Sequence, residues 1–332
     1  MNKRSALHAL LVLGAAGATG AGLPAQAQPA AGVPRIGVLD PAPTSASPAR
    51  LAGLRAGLKS RGLEEGRHYI IEYRSAELDF ARLPALAAEL VKLPVKVLVV
   101  RNTPGVVAAR AATTTIPIVM TDVGEPVGTG LVKSLRTSGS NVTGLSNARA
   151  ELVPKRLEYL HDAVPGLRRL AALVNPDDQN TPYQLEELRS AAAKRGITAR
   201  IFEARNAAEV TTAFAQIREW RAQAVLPLIN PLYGTLFSTR LIPWAAQHRV
   251  PVMYAISGDA AAGGLMTYDA DLSDHYFRAG LYVDKLLAGA DPATLPIERP
   301  TRFELALNLK TAKALGLKIP QALLARADRV IE

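Results

Sequence analysis

The chain has 332 residues, of which 48% are hydrophobic and 20% are charged, and it contains no cysteine. This length is sufficient for two domains with sizeable cores. The lack of cysteine excludes disulfides, thiolate nucleophiles, iron–sulfur ligation and cysteine zinc sites. The net charge is +10, but basic residues such as Arg50, Arg55, Lys155 and Arg156 are spread over predicted helix faces. We therefore predict a solvated basic surface and no nucleic-acid partner.

The N-terminus has the pattern of a targeting signal. Lys3 and Arg4 precede an apolar stretch, and Ala25-Gln26-Ala27 fits the small-x-small pattern that signal peptidase recognises. We predict a signal peptide at residues 1–27 that is cleaved after Ala27, a flexible segment at 28–33 and a periplasmic mature protein. A retained N-terminal anchor is the alternative.

In the first half, short apolar runs alternate with helical patterns, which is typical of a parallel α/β sheet. Strands are predicted at 35–39, 68–73, 95–100, 116–120 and 141–145, and helices at 51–58, 80–90 and 131–135. Pro84 is compatible with the second helix only in its first turn. Ligands of such sheets bind outside the carboxyl ends of the strands, so the polar residues there are candidates for a site.

Two of these polar segments stand out. Asn102-Thr103-Pro104-Gly105 combines a side chain that can cap a helix, a proline suited to the first helical position and a glycine with an approachable N–H. Exposed N–H groups at a helix start suit a carboxylate or phosphate, although the same pattern also serves as a plain cap. Asp122 and Glu125 follow the fourth strand, where they either reach a ligand or flank a helix start that favours acids electrostatically.

The second half repeats this architecture. Strands at 169–174, 197–202 and 224–228 alternate with helices near 151–164, 185–188 and 210–217. The stretch at 224–231 echoes that at 97–104, which predicts two similarly built α/β lobes and not an array of short repeats. A helix at 272–289 and an alternating strand at 303–309 follow.

The sequence carries no catalytic or metal-binding motif. The five histidines lack the i,i+4 pairing of an H-E-x-x-H site. Gly144-Leu145-Ser146 lacks the second glycine of a nucleophile elbow. Gly124, Gly128 and Gly130 do not form the dinucleotide fingerprint that follows a first strand. We therefore expect no catalytic residues, no cofactor and no metal.

Several motifs resemble those of one bacterial family. They are I-P-I-V-M from Ile116, E-P-V-G-T-G-L from Glu125, G-S-N-V-T-G from Gly139, A-L-V-N-P from Ala172 and A-A-G-G-L-M-T-Y-D from Ala261. These stretches are similar to ABC-transporter substrate-binding proteins, including tryptophan and tyrosine uptake binding proteins. The resemblance covers nearly everything after residue 33. It departs at Glu125-Pro126, where the family usually has Asp-Pro.

This resemblance implies a periplasmic binding protein type 1 fold, with two doubly wound parallel-sheet lobes and three crossings between them. The crossings are expected near 145–150, 267–271 and 290–303. Lobe 1 is expected at 34–147 plus 270–290, and lobe 2 at 148–269 plus 300–332. The implied protein is a monomer that closes around a small solute and docks on an ABC permease in the inner membrane.

We expect ligand contacts from polar residues after strands and at the crossings, namely Asp40, Thr44, Asn102, Thr103, Gly105, Asp122, Glu125, Asn147, Asn230, Tyr268 and Asp269. If the solute is an amino acid, as the resemblance implies, the N–H groups at Gly105 would hold its carboxylate, and Asp269 or Asp122 would face its ammonium. Alternatively, Asp269 or Asp271 caps the helix predicted from Leu272.

Two other functions remain open on the sequence alone. A secreted α/β enzyme would need a nucleophile or metal site. A sensory protein of the same fold, related to transcription regulators, would carry a DNA-binding helix-turn-helix and no export signal.

Overall fold

A computed structural model describes residues 32–231, 233–256 and 258–332. The predicted signal peptide and its cleavage site after Ala27 lie outside these residues. None of the helices in these ranges has the length and apolar character that crossing a membrane requires.

The strands of the described chain are β1 (Arg35–Asp40), β2 (Ile70–Ser75), β3 (Val95–Arg101), β4 (Ile118–Val123), β5 (Val142–Ser146), β6 (Arg169–Val174), β7 (Thr198–Glu203), β8 (Ala224–Pro227), β9 (Met253–Tyr254), β10 (Met266–Ala270), β11 (Ile297–Glu298), β12 (Phe303–Asn308) and β13 (Arg329–Ile331). The helices are α1 (Ser47–Lys59), α2 (Leu83–Lys92), α3 (Thr103–Ala112), α4 (Arg149–Ala163), α5 (Thr181–Lys194), α6 (Ala207–Glu219), α7 (Tyr233–Leu236), α8 (Ile242–His248), α9 (His275–Leu287), α10 (Leu309–Ala314) and α11 (Gln321–Leu324).

The first sheet is parallel, with the strand order β11-β5-β4-β3-β1-β2. Its central strand β3 is almost wholly apolar because helices cover both faces of the sheet. Apolar residues of α2 and α3 pack on one face, and those of α1 and α9 pack on the other. The first lobe is therefore doubly wound, as predicted.

The second lobe repeats this plan. One of its sheets has the order β7-β6-β8, and the other has the order β13-β12-β10-β9. A parallel bridge between Val225 in β8 and Val252, the residue before β9, links the two sheets. The order β7-β6-β8-β9-β10 thus matches β2-β1-β3-β4-β5 of the first lobe. Residues of α4 and α5 cover one face, and those of α6 and α8 cover the other. The internal repeat predicted from the sequence is confirmed.

The chain passes three times between the two sets of strands, as expected for this fold. It leaves the first sheet after β5 at 147–148, returns after β10 at 271–274, and leaves again after β11 at 299–302. All three segments follow the carboxyl end of a strand, so they lie on the side of each sheet where its parallel strands end. The lobe boundaries given above remain a prediction.

One predicted helix is wrong. Residues 124–140 form turns and bends where a helix was predicted at 131–135. Pro126 and the glycines around it disfavour a helix, and Gly130 adopts a φ of 71°. Leu131 and Val132 are nevertheless buried in the core of the first lobe, so their apolar character reports burial and not helical periodicity. Pro84 does lie in the first turn of its helix.

Helices α1 and α9 touch through their backbones. A Cβ at Gly57 of α1 would lie 2.0 Å from the carbonyl oxygen of Phe277 in α9. A Cβ at Gly280 of α9 would lie 2.8 Å from the carbonyl oxygen of Leu54 in α1. Glycine is therefore required for this helix pair, which anchors the returning chain on the first sheet.

We expect Gly57→Ala to lower the free energy of unfolding by roughly 1–3 kcal/mol, because the added methyl overpacks the helix contact. This loss should outweigh the higher helix propensity of alanine. Urea denaturation measures the change, with Gly258→Ala as the control because its Cβ would meet nothing within 4 Å. Equal stability of Gly57→Ala and the wild type would contradict the close contact.

Candidate functional site

A cleft of about 550 Å³ lies between the two lobes, at the carboxyl ends of their strands. Its volume is in the usual range for small-molecule sites. The residues that line it on the first lobe include Pro41, Arg50, Phe80, Arg101, Asn102 and Asp122. Those contributed by the later part of the chain include Arg149, Ile229, Asn230, Ile256, Asp269 and Glu304.

The backbone is strained where the first-lobe strands enter the cleft. Asn102, directly after β3, has φ 62° and ψ 154°, and Asp122, near the end of β4, has φ 53°. Such conformations cost on the order of 1–3 kcal/mol each outside glycine, and they persist only where the surroundings impose them. The hydrogen bonds of these two side chains supply that constraint.

Asp122 accepts hydrogen bonds from side chains of two different segments, the end of β3 and the first crossing. Its Oδ1 accepts from Asn147 Nδ2 at 2.8 Å and from Arg149 Nη2 at 3.0 Å, and its Oδ2 accepts from Arg101 Nη2 at 2.8 Å. When the amide of Asn102 is oriented to suit its neighbours, its nitrogen donates to Oδ2 at 2.9 Å. Burial favours the neutral carboxyl, but the two arginines and Asn147 outweigh it and lower the pKa of Asp122 to about 2.

Asp40 extends this network at the end of β1. Its carboxylate is buried, accepts from Arg50 Nε at 2.9 Å and lies 3.6 Å from Arg101 Nη1. Arg101 therefore bridges Asp40 and Asp122. Three guanidinium groups, those of Arg50 and Arg101 in the first lobe and of Arg149 at the start of α4, share these two carboxylates. We call these three residues the arginine wall.

Across the cleft, Asp269 is already paired with Arg156. Arg156 lies on α4 with only 1% of its surface exposed, its Nε donates to the carbonyl oxygen of Tyr268 at 2.7 Å, and its Nη2 donates to Asp269 Oδ1 at 3.1 Å. Burial lowers the pKa of Arg156 to about 10 and raises the pKa of Asp269. The expected solvated surface is thus wrong for Arg156, which neutralises a cleft carboxylate from inside the lobe. It is also wrong for Arg50, which lines the cleft and pairs with the buried Asp40.

The alternative in which Asp269 caps a helix is wrong. Its Oδ1 accepts from the N–H of Ala270, and Asp271 accepts from the N–H of Ser273. Helix α9 begins only at His275.

Two further acids of the second lobe, both near Asp269, were not predicted as part of the site. Glu304 on β12 lines the cleft directly opposite Asp269 in the β10–β12 ladder. Its Oε1 is buried without a hydrogen-bond partner in the described part of the chain. Asp259 is also buried, and burial, together with the charge of Asp269, raises its pKa to about 7. The second lobe therefore places one further acid, Glu304, at the cleft and a second one, Asp259, behind it near Asp269.

The other residues predicted as ligand contacts do not line the cleft. Asn147 is buried and bonded to Asp122, while Thr44 is exposed and bonds Glu77 through its N–H and Oγ1. Tyr268 points its ring into the second-lobe core, 5.0 Å from the ring centroid of Tyr159.

Three further candidates also stay off the cleft surface. Thr103 and Gly105 are buried at the start of α3, whose cap Asn102 makes no side-chain capping bond. Glu125 is half-buried, and burial raises its pKa. The structure thus brings Asn102, Asp122, Asn230 and Asp269 together around the cleft.

Beside the cleft, the lobes touch at what we call the inter-lobe contact (Thr103, Gly124, Gly128, Asn180 and Tyr183). Asn180 Nδ2 donates to Thr103 Oγ1 at 3.1 Å. A Cβ at Gly124 would lie 2.4 Å from Asn180 Oδ1, and one at Gly128 would lie 2.6 Å from the ring of Tyr183. The start of α5 therefore rests on a surface that only glycine permits, and the two lobes are in contact here.

In the residues that the structure describes, no group of three or more histidine and acidic side chains could hold a metal ion. The cleft instead offers arginine, carboxylate and amide groups next to apolar side chains. Two doubly wound lobes with such a cleft at their strand ends define a two-lobe protein that binds small molecules.

The model of the family described as ABC transporter substrate binding protein matches residues 35–331, and the chain belongs to this family. The chain is 25% identical over 266 residues to a tyrosine-binding protein of Clostridioides difficile, a match that covers 80% of this chain and 76% of that one. A conserved domain protein from Vibrio cholerae has 31% identity and a TM-score of 0.83, with 90% and 99% of the two chains covered. A domain from Streptococcus pneumoniae in complex with L-Trp has 25% identity and a TM-score of 0.83, with 90% and 100% covered.

The depressed pKa of Asp122 predicts how stability depends on pH. A folded-state pKa near 2, against an ordinary value of 3.8, stabilises the fold above about pH 4, and this contribution is lost as pH falls through 2. We expect Asp122→Asn, which tolerates the positive φ, to lower the free energy of unfolding at pH 7 by about 2 kcal/mol.

Urea denaturation between pH 7 and pH 2 measures this effect. The difference between wild type and Asp122→Asn should shrink between pH 4 and pH 2, as the wild-type carboxylate becomes protonated. A difference that stays constant over this range would show that Asp122 stabilises the fold by its shape and not by its charge.

Proposed function

We propose that the protein is the solute-binding component of an ABC importer, in which two lobes close around a small solute and the closed form delivers it to a permease in the inner membrane. The observation that supports this most is the cleft itself, whose walls come from two lobes that the chain connects three times. A solute that contacts both walls favours the closed state over the open one. Binding by closure of this kind needs only one copy of the chain, so we propose a monomer.

We propose that the solute is an amino acid or a related carboxylate. The named relatives include a tyrosine-binding protein and a domain solved with L-Trp. The cleft of this chain offers arginines and carboxylates together with apolar side chains such as Phe80, Ile229 and Ile256. A charged head group and an apolar side chain would each find a matching surface there.

We propose that the solute is bound without chemical change. The described residues that line the cleft include no histidine. Asp122 is unsuited to act as a base because its pKa is about 2.

Native mass spectrometry of the mature protein tests this function, followed by calorimetry with L-tryptophan, L-tyrosine and the other amino acids. We expect one solute per chain, recovered unchanged after prolonged incubation. Stoichiometric conversion of the solute would favour the enzyme alternative. Binding of no amino acid, together with a different co-purifying solute, would refute the amino-acid class and retain the binding role.

We further predict that the protein is exported and begins at Gln28 after cleavage. Expression in a Gram-negative host, with N-terminal sequencing of the periplasmic fraction, measures both. A variant that lacks residues 2–27 serves as the control and should stay in the cytoplasm. Recovery of intact Met1 in the membrane fraction would instead support the retained anchor.

A further inference from the structure

We infer that the cleft recognises a zwitterion by holding its two charges on opposite walls, the anionic group on the arginine wall and the cationic group on Glu304. This inference rests on the proposed function and identifies the residues that select the solute. It differs from the expectation from the sequence, which placed the carboxylate at Gly105 and the ammonium at Asp269 or Asp122.

The arginine wall has more hydrogen-bond donors than acceptors. Each guanidinium carries five N–H donors, and within the described chain the direct ion pairs of the wall are made with Asp40 and Asp122. Arg50 Nη2 and Arg149 Nε are buried without any acceptor among the described residues. A buried polar group without a partner is unfavourable, and a ligand carboxylate would supply both the missing acceptors and the missing negative charge.

The two aspartates expected to face an ammonium are not free to do so. Asp122 is bonded to Arg101 and Arg149, and Asp269 is bonded to Arg156. A cation that approached either one would have to compete with an arginine already in place.

Glu304 is free of such competition. No hydrogen bond or ion pair of its carboxylate is present within the described chain, and its Oε1 is buried and unpaired. It lies opposite Asp269 in the ladder, but the positive charges of Arg156 and Arg149 act on Asp269, and Glu304 has no ion pair within the described chain. A ligand ammonium would supply the counter-charge that Glu304 lacks.

The two walls together set the requirement for the solute. A ligand with only one charge satisfies one wall and leaves the other without its counter-charge when the lobes close. A zwitterion satisfies both, so closure is favoured most by ligands that carry an acid and an amine.

Calorimetry with four probes tests this inference, namely L-tryptophan, L-tyrosine, 3-(4-hydroxyphenyl)propionate, which lacks the amine of tyrosine, and tyramine, which lacks its carboxylate. We expect wild type to bind the better amino acid about 10- to 100-fold more tightly than a probe that lacks either charge, as the loss of one charged hydrogen bond predicts. Equal affinity for an amino acid and a probe with one charge would overturn the inference.

Two variants assign the charges to the walls. Glu304→Gln should weaken binding of tyrosine and tyramine about 10-fold or more and leave the propionate unchanged. Arg50→Lys keeps the charge beside Asp40 but loses the planar guanidinium fork. It should therefore weaken the binding of tyrosine and of the propionate and leave the binding of tyramine unchanged. Glu203→Gln, on an exposed position of β7, is the control and should bind every probe as wild type does. Weaker binding of the propionate by Glu304→Gln would overturn the assignment of charges to the walls.

A second measurement does not depend on the identity of the solute. Because the Glu304 carboxylate has no partner in the described chain, Glu304→Gln should leave the unfolding midpoint of the ligand-free protein unchanged or raise it. A clear decrease would show a structural role for Glu304 and overturn the inference. If a solute without a cationic group co-purifies, the zwitterion inference fails while the binding-protein function stands.

Discussion

The buried carboxylate of Asp122 is the interaction on which the cleft depends. It accepts hydrogen bonds from Arg101 at the end of β3 and from Asn147 and Arg149 at the first crossing. The end of the first sheet and the start of the connecting helix are thus held by one group. The same bonds hold Asp122 and Asn102 in backbone conformations that ordinary residues avoid. The geometry of the arginine wall is therefore held by hydrogen bonds between protein groups.

Most of the fold could be predicted because its determinants are local. Central strands such as β3 and β6 are apolar runs that end at polar residues, and the repetition of this pattern indicated two lobes. The helix predicted at 131–135 failed because apolar residues at helical spacing also occur in a buried loop. The proline and glycines before it were the signal for turns.

The candidate site was predictable only in part. Polar residues after strands are visible in the sequence, and this rule found Asn102, Asp122 and Asn230. Which charges pair across the fold is not visible, since Arg156 and Asp269 are 113 residues apart. One signal was present, because Arg156 lies between Val153 and Leu157 on the apolar face of α4, where a solvated arginine is not expected. Glu304 carried no comparable signal, because an acid in an alternating strand is ordinarily exposed.

The inter-lobe contact has a kinetic consequence. Its five residues are absent from the lining of the cleft, so under the proposed closure mechanism it would stabilise the closed form equally for every solute. Such a contact leaves the choice between solutes unchanged and instead lengthens the residence time of whichever solute is enclosed. Because Gly124 and Gly128 have no side chains to immobilise, their side of the contact forms without loss of rotamer entropy. Under the proposed mechanism, a side chain at Gly124 or Gly128 would therefore speed the release of every solute alike.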